Sequence, residues 1–199
     1  SEAAGKLPGV TYSTDTYRFD IRVVDNGNGT MHTVTKVTMQ GNGVTAEAEY
    51  DSSDGKDTIV AAFTNGYHAD GVEVDFTEKA ELFHKQLVGR DWKESDSFTF
   101  TLQAKDGAPM PKDAEGNNVT SVTVSQPEGT KGGTEVPFGF GTITYDTVGE
   151  YSYTVKEENA GQTIAGVSYS TNQAELVVKV SDPGDGKLAA SVQAHSTKF

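Results

Sequence analysis

The sequence predicts an all-β protein of two tandem β-sandwich modules, 1–68 and 69–199, the first of them incomplete at its N-terminus. Three observations predict this. Apolar residues recur at every second position through most of the chain, the period that sends alternate side chains to opposite faces of a strand. Clusters of Gly, Asn and Asp, which tolerate positive φ, punctuate those runs. The stretch GVTYSTDTYRFDIRVVDNGNGT (9–30) also recurs without a gap as GVSYSTNQAELVVKVSDPGDGK (166–187), so one module is present twice.

In chain order, TYRFDIRVV (16–24) alternates and ends in the turn signal DNGNG (25–29). QGNG (40–43) and SSDGKD (52–57) punctuate a longer hairpin region, 31–62, that the second copy lacks. In DTIVAAFTNGY (57–67), steps of two place Ile59, Ala61, Phe63, Asn65 and Tyr67 on one face. TEKAELFHKQL (77–87) is the one run that could pass for a helix, but it has no convincing pair of caps. Read as a strand, its end aligns Phe83, Lys85 and Leu87. SFTFTL (97–102) turns Phe98, Phe100 and Leu102 inward, and ELVVKVS (175–181) does the same with Leu176, Val178 and Val180. YSYTVKEE (151–158) places Tyr151, Tyr153, Val155 and Glu157 in a row. Short strands with frequent turns indicate sandwich domains.

The first copy holds only the counterparts of the second copy's last strands. A few strands without a facing sheet leave an apolar side open to water. A strand segment upstream of Ser1, or a second chain, is therefore expected to complete it.

Composition narrows the function. A net charge of −13 argues against nucleic acid, whose phosphates need a basic footprint, and against contact with an anionic membrane. No apolar run approaches the roughly 20 residues that span a bilayer. There is no cysteine, which excludes disulfides, thiolate metal sites and thiol nucleophiles. His32, His68, His84 and His195 show neither metal-ligand spacing nor triad order. The Asp- and Gly-rich loops carry no complete calcium-loop spacing and read as hairpin turns. No cofactor is called for, and no feature points to a turnover enzyme.

Three polar side chains stand in line with core residues on separate strands: Lys85, Glu157 and Asn65. Each has a bland reading. Lys85 could be a charge that blunts a sheet edge, Glu157 a solvated strand end, and Asn65 a turn residue before Gly66. Lys79 rivals Lys85, but it shares a face with Glu73 and Asp75.

The second copy resembles the repeat domain of Gram-positive pilins and surface adhesins, the streptococcal pilin isopeptide-linkage domain. The resemblance is carried by KQLVGR (85–90), FTFTL (98–102), FGTITYDTVGEYSYTVKEE (140–158), GVSYS (166–170) and VSDPGDGKLAASV (180–192), and by FTNGY (63–67) closing the first copy. It implies tandem Ig-like, pilin-type sandwiches and an autocatalytic crosslink. A Lys amine on the first strand attacks an Asn carboxamide on the last, ammonia leaves, and a nearby Glu carries protons. Lys85 and Asn65 take the crosslinking roles by this resemblance, and Glu157 the catalytic one. Apolar surroundings favour a neutral amine and a protonated carboxyl, the forms that suit a nucleophile and a proton donor.

Neither copy shows a complete set. The repeat pairs Phe199 with Phe63, so the second copy's Asn is expected two positions past Phe199. In the first copy Ser1 stands where Glu157 stands in the second, and Asn65 has no Lys strand. The resemblance implies a structural stalk module on the bacterial surface, with neighbouring modules of the same protein as partners and anchorage to the cell wall through other parts. The alternative is an adhesin domain that binds a host glycan or matrix protein through residues 31–62 or 103–136, although aromatic residues are sparse there.

Overall fold

A computed structural model describes residues 1–55, 60–77, 82–195 and 197–199. The chain divides into two compact units, Ser1–His68 and Ala69–Phe199. The described residues contain sixteen strands and no helix.

In the second unit the strands are β6 (Val72–Asp75), β7 (Phe83–Gln86), β8 (Ser97–Ala104), β9 (Ser121–Ser125), β10 (Glu135–Phe138), β11 (Thr142–Tyr145), β12 (Gly149–Glu157), β13 (Thr163–Ile164), β14 (Val167–Ser168), β15 (Gln173–Ser181) and β16 (Ala189–His195); the first unit holds β1 (Val10–Thr11), β2 (Thr16–Asp25), β3 (Met31–Gly41), β4 (Val44–Asp51) and β5 (Gly66–Tyr67). A five-stranded antiparallel sheet, ordered β16-β15-β12-β8-β9, forms one side of the second unit. The ladders β7–β10 and β6–β11 supply the opposing residues. One core joins both sides: Phe76, Phe83, Phe138 and Ile143 from the small ladders, with Phe100, Tyr153, Val155, Leu176 and Val178 from the sheet. The rings of Phe100 and Phe138 stack across it at 4.1 Å, an arrangement that adds to the gain from burial alone. Gly139, between β10 and β11, permits close approach of the backbone just after β6. A Cβ there would stand 2.0 Å from the Phe76 carbonyl oxygen.

The alternation read from the sequence is what the burial follows. On β8, Phe98, Phe100 and Leu102 are buried; on β15, so are Leu176, Val178 and Val180. The run that could pass for a helix ends as β7, where Phe83, Lys85 and Leu87 face inward. Residues 78–81, Lys79 among them, lie outside the described residues. Trp92 is core, edge-on to Phe98 at 5.3 Å.

The first unit has a three-stranded sheet, β2-β3-β4, and the short ladder β1–β5. The repeat allows a position-by-position comparison. Leu176, Val178 and Val180 of β15 are 0–4% exposed. Their counterparts on β2 are Phe19, Ile21 and Val23, exposed by 43, 64 and 61%. The alternation is the same in both copies. In the first unit, no described layer lies against that face.

This corrects the expected row through FTNGY. Only Gly66–Tyr67 is strand, residues 60–65 are irregular, and Ile59 lies outside the described residues. Phe63 and Tyr67 are 38 and 49% exposed and Asn65 is exposed rather than core-facing. A row becomes core only when a second layer covers it.

Candidate functional site

Lys85 enters the core from β7 because its neighbours in steps of two, Phe83 and Leu87, are apolar and buried. Glu157 enters at the end of β12, two residues past Val155. The two side chains are 4 and 0% exposed, and Lys85 Nζ donates to Glu157 Oε1 at 2.6 Å. Nζ also sits 4.2 Å from the centroid of the Phe98 ring, a cation–π placement. The second carboxylate oxygen, Oε2, accepts the Ser170 backbone N–H at 2.6 Å. Burying two charges costs free energy unless the pair is close and well hydrogen-bonded. An apolar pair would fill this core as well, so its presence is a functional signal.

Residues 197–199 run beside β7 in the parallel sense, with His84 bridged to Lys198. The His84 N–H bonds the Thr197 carbonyl at 3.0 Å, and the Phe199 N–H bonds the His84 carbonyl at 3.0 Å. The Gln86 N–H bonds the Phe199 carbonyl at 2.8 Å. This register sets Phe199 beside Lys85, both facing the core. Along the same line a groove of about 410 Å³ continues, lined by Lys85–Arg90 on one side and Gly166–Ser168 on the other. In the first unit, the counterparts of Val167 and Ser168 are Val10 and Thr11, and they pair with Tyr67 and Gly66.

Asn65 is held by two contacts in its own unit. Its Oδ1 accepts the Ser13 backbone N–H at 2.8 Å, and its Nδ2 donates to Glu2 Oε1 at 3.0 Å. Glu2 Oε2 is buried without a hydrogen-bond partner. Ser13 is the repeat counterpart of Ser170, so the same backbone N–H serves an amide in one unit and an acid in the other. This corrects the reading that put Ser1 in the place of Glu157. The carboxylate that reaches the site is Glu2. Aligning SE (1–2) with KE (156–157) and allowing two extra residues before Gly166 makes the match visible in the sequence; aligning on Glu158 hides it. The structure thus brings Lys85 to Glu157 and, separately, Asn65 to Glu2. Sequence reasoning missed Glu2 and the Ser13 and Ser170 N–H groups. A backbone donor leaves no mark in residue type.

Among the described residues no group of His, Asp or Glu forms a metal site, and no helix is long and apolar enough to cross a membrane.

The second unit is thus a β-sheet module with a lysine and a glutamate paired inside its core, the lysine lining a groove. The chain belongs to the FctA family, the Spy0128-like isopeptide containing domain, which it matches over residues 1–68 and 82–199. The all-β, pilin-type architecture and the Gram-positive cell-surface setting fit that membership. Comparison with curated proteins finds no match.

Proposed function

We propose that the chain is a stalk segment of a cell-surface pilin or adhesin, whose second unit is hardened by an autocatalytic bond between Lys85 and an Asn on the strand that fills the groove beside it. The observation that carries this reading is the buried Lys85–Glu157 pair, whose lysine lines that groove. Lys85 first passes a proton to Glu157 within the pair; the amine so formed attacks the carboxamide carbon, the new C–N bond forms, and the old one breaks. One amine proton passes through Glu157 to the departing nitrogen, which leaves as ammonia. Holding the groups inside a packed core supplies orientation that a free amine and amide lack. Each centre acts once, on its own chain, so the module is not a turnover enzyme.

The link closes a loop running from β7 to the last strand. If unfolded-chain entropy is the governing term, a closure of about 100 residues contributes roughly 4–5 kcal/mol. Pulling force entering at the last strand crosses into β7 through the bond, so the strands between are not extended. Neighbouring modules of the same surface protein are the partners this role calls for.

The test extends the chain after Phe199 by Thr-Asn-Gly-Tyr, a copy of residues 64–67. Condensation of amine with carboxamide makes the intact mass lower than the sequence mass by one ammonia, about 17 Da. Lys85→Ala restores the full mass. Full mass in the folded extended chain with Lys85 present would sink the proposal.

A further inference from the structure

We propose that Asn26–Gly27, in the turn between β2 and β3, is a self-modifying pair. The Gly27 backbone nitrogen displaces ammonia from the Asn26 carboxamide, and water opens the resulting succinimide to aspartate or isoaspartate. The site lies in the first unit and is independent of the Lys85 chemistry.

The sequence places Asn before Gly at 26–27, 28–29, 42–43 and 65–66. A glycine has no side chain to shield its nitrogen, so the four pairs share one intrinsic reactivity. Asn26 is set apart by the groups around its reacting atoms. The Gly27 N–H donates to Asp25 Oδ1 at 2.8 Å. A carboxylate held on the proton of the attacking nitrogen is a general base in position. The Asn26 carbonyl oxygen, Oδ1, faces His32 Nδ1. A carboxamide oxygen only accepts, so Nδ1 is the donor, and it is aimed where negative charge develops on attack. The other ring nitrogen, Nε2, faces Asp51 Oδ1 at 3.7 Å. Asp51 orients the ring and is a positioning residue. The leaving nitrogen, Nδ2, donates to the Thr30 hydroxyl at 2.7 Å, and that hydroxyl donates onward to Asn28 Oδ1 at 2.6 Å. Nucleophile, carbonyl oxygen and leaving group are each held by a different residue.

The repeat shows that the turn does not require this set. In the second unit Asp182 Oδ1 accepts the Gly184 N–H at 2.8 Å, the bond that Asp25 makes to Gly27. The position of Asn26 is taken there by Pro183, which has no carboxamide. The ladders set His32 opposite Val24 and Ala189 opposite Ser181, so Ala189 stands in the place of His32. The turn closes with proline and alanine. A turn that only had to close would need neither the asparagine nor the histidine.

The steps balance with water as the co-reactant. Asp25 takes the Gly27 proton as the nitrogen bonds to Asn26 Cγ. The Cγ–Nδ2 bond then breaks. The proton returns to Nδ2 through solvent, to which the exposed turn is open, and ammonia leaves. Water next adds to one of the two ring carbonyls. Opening at Cγ restores the backbone and leaves an aspartate. Opening at the main-chain carbon routes the chain through Cγ as isoaspartate. Either product places a new carboxylate next to Asp25.

The test incubates the full chain at neutral pH in heavy-oxygen water and follows all four pairs by peptide mapping. Each event exchanges an amide NH₂ for a labelled OH, a gain of about 3 Da. In the folded chain Asn26 is expected to react about tenfold faster than Asn28, Asn42 or Asn65, less than the ~10²-fold that a positioned base supplies in an enzyme. In concentrated urea the four rates converge. Asp25→Ser keeps an acceptor for the Gly27 N–H without the base, and His32→Phe keeps a ring without the N–H. Each brings Asn26 down to the rate of the other pairs, with amide exchange across β2 and β3 reporting that the hairpin is kept. The urea comparison uses the parent chain, so it stands whether or not a variant loosens the hairpin. A folded Asn26 no faster than Asn42, a lead that persists in urea, or a lead that survives either substitution overturns the assignment.

Discussion

Removing the Glu157 carboxylate tests whether the Lys85–Glu157 pair is held charged and dry. In Glu157→Ala the lysine loses its carboxylate contact at 2.6 Å, and the Ser170 N–H loses its acceptor. Both side chains of the pair are at most 4% exposed, so water does not readily replace the lost oxygen atoms. Breaking a buried pair from one side costs about 3–5 kcal/mol. The cation–π contact with Phe98 exists before and after the change and offsets little. Trp92, the single tryptophan, is in the core of the second unit, so its fluorescence follows that unit alone during urea unfolding. With a slope of about 2 kcal/mol per molar urea, the midpoint falls by roughly 1.5–2.5 M. The double change Lys85→Met with Glu157→Leu removes both charges and keeps volume; it is expected near the parent stability or above it. A midpoint for Glu157→Ala within about 0.3 M of the parent, or a double variant as weak as the single one, would refute a buried, mutually dependent ion pair.

Other expected outcomes concern groups around this core. Tyr153 O–H donates to the Pro109 carbonyl at 2.7 Å and accepts from Tyr145 at 3.1 Å; Tyr153→Phe leaves both unpaired and should cost about 1–3 kcal/mol, read by Trp92 fluorescence in urea. Burial pushes the Tyr145 phenol well above its usual range, with donation to Tyr153 adding to the effect. That raised value gives stability that is fully present below the ordinary tyrosine pKa of about 10 and is lost above it, so phenolate absorbance for Tyr145 should appear only with unfolding. Arg90 grips Asp96 through two bonds, at 2.6 and 2.8 Å, and holds its carboxyl down to about 2. The stability from that depression is present above the ordinary Asp pKa of about 3.9 and is lost as pH falls toward 2. Asp96→Asn should flatten the acid limb of a stability–pH curve in that window; an unchanged limb assigns the acid loss to other carboxyls.

The β class and the inward rows were legible because a strand's period is strict. Leu176, Val178 and Val180, or Phe98, Phe100 and Leu102, fall inward in the sequence and in the structure. The same pattern misled at FTNGY. Period two states which residues share a face, and it cannot state whether a second layer covers that face. Phe19, Ile21 and Val23 alternate as cleanly as their counterparts, yet they are 43–64% exposed. Cover is a property of tertiary pairing, and the strands opposite β15 in the second unit, β6, β7, β10 and β11, all precede it in sequence, so its own alternation says nothing of them.

The candidate site was half legible for a related reason. Lys85 and Glu157 announced themselves as charges in apolar rows, where solvation forbids an unpaired ion. Glu2 gave no such signal: it precedes AAG, in no row, and only the contact with Asn65 gives it a place. What locates it is the backbone that follows. GVTYS and GVSYS carry the chain from the acid past β1 or β14 to a serine N–H, and that N–H reaches Asn65 Oδ1 in one unit and Glu157 Oε2 in the other. The two partial sites are therefore one arrangement with different members present. The first unit holds the acid and the amide, and the second holds the acid and the amine. In both units the backbone that follows the acid sets a serine N–H against a polar side chain, so the fold itself aims these groups. The bond, where it forms, is a consequence of packing already achieved.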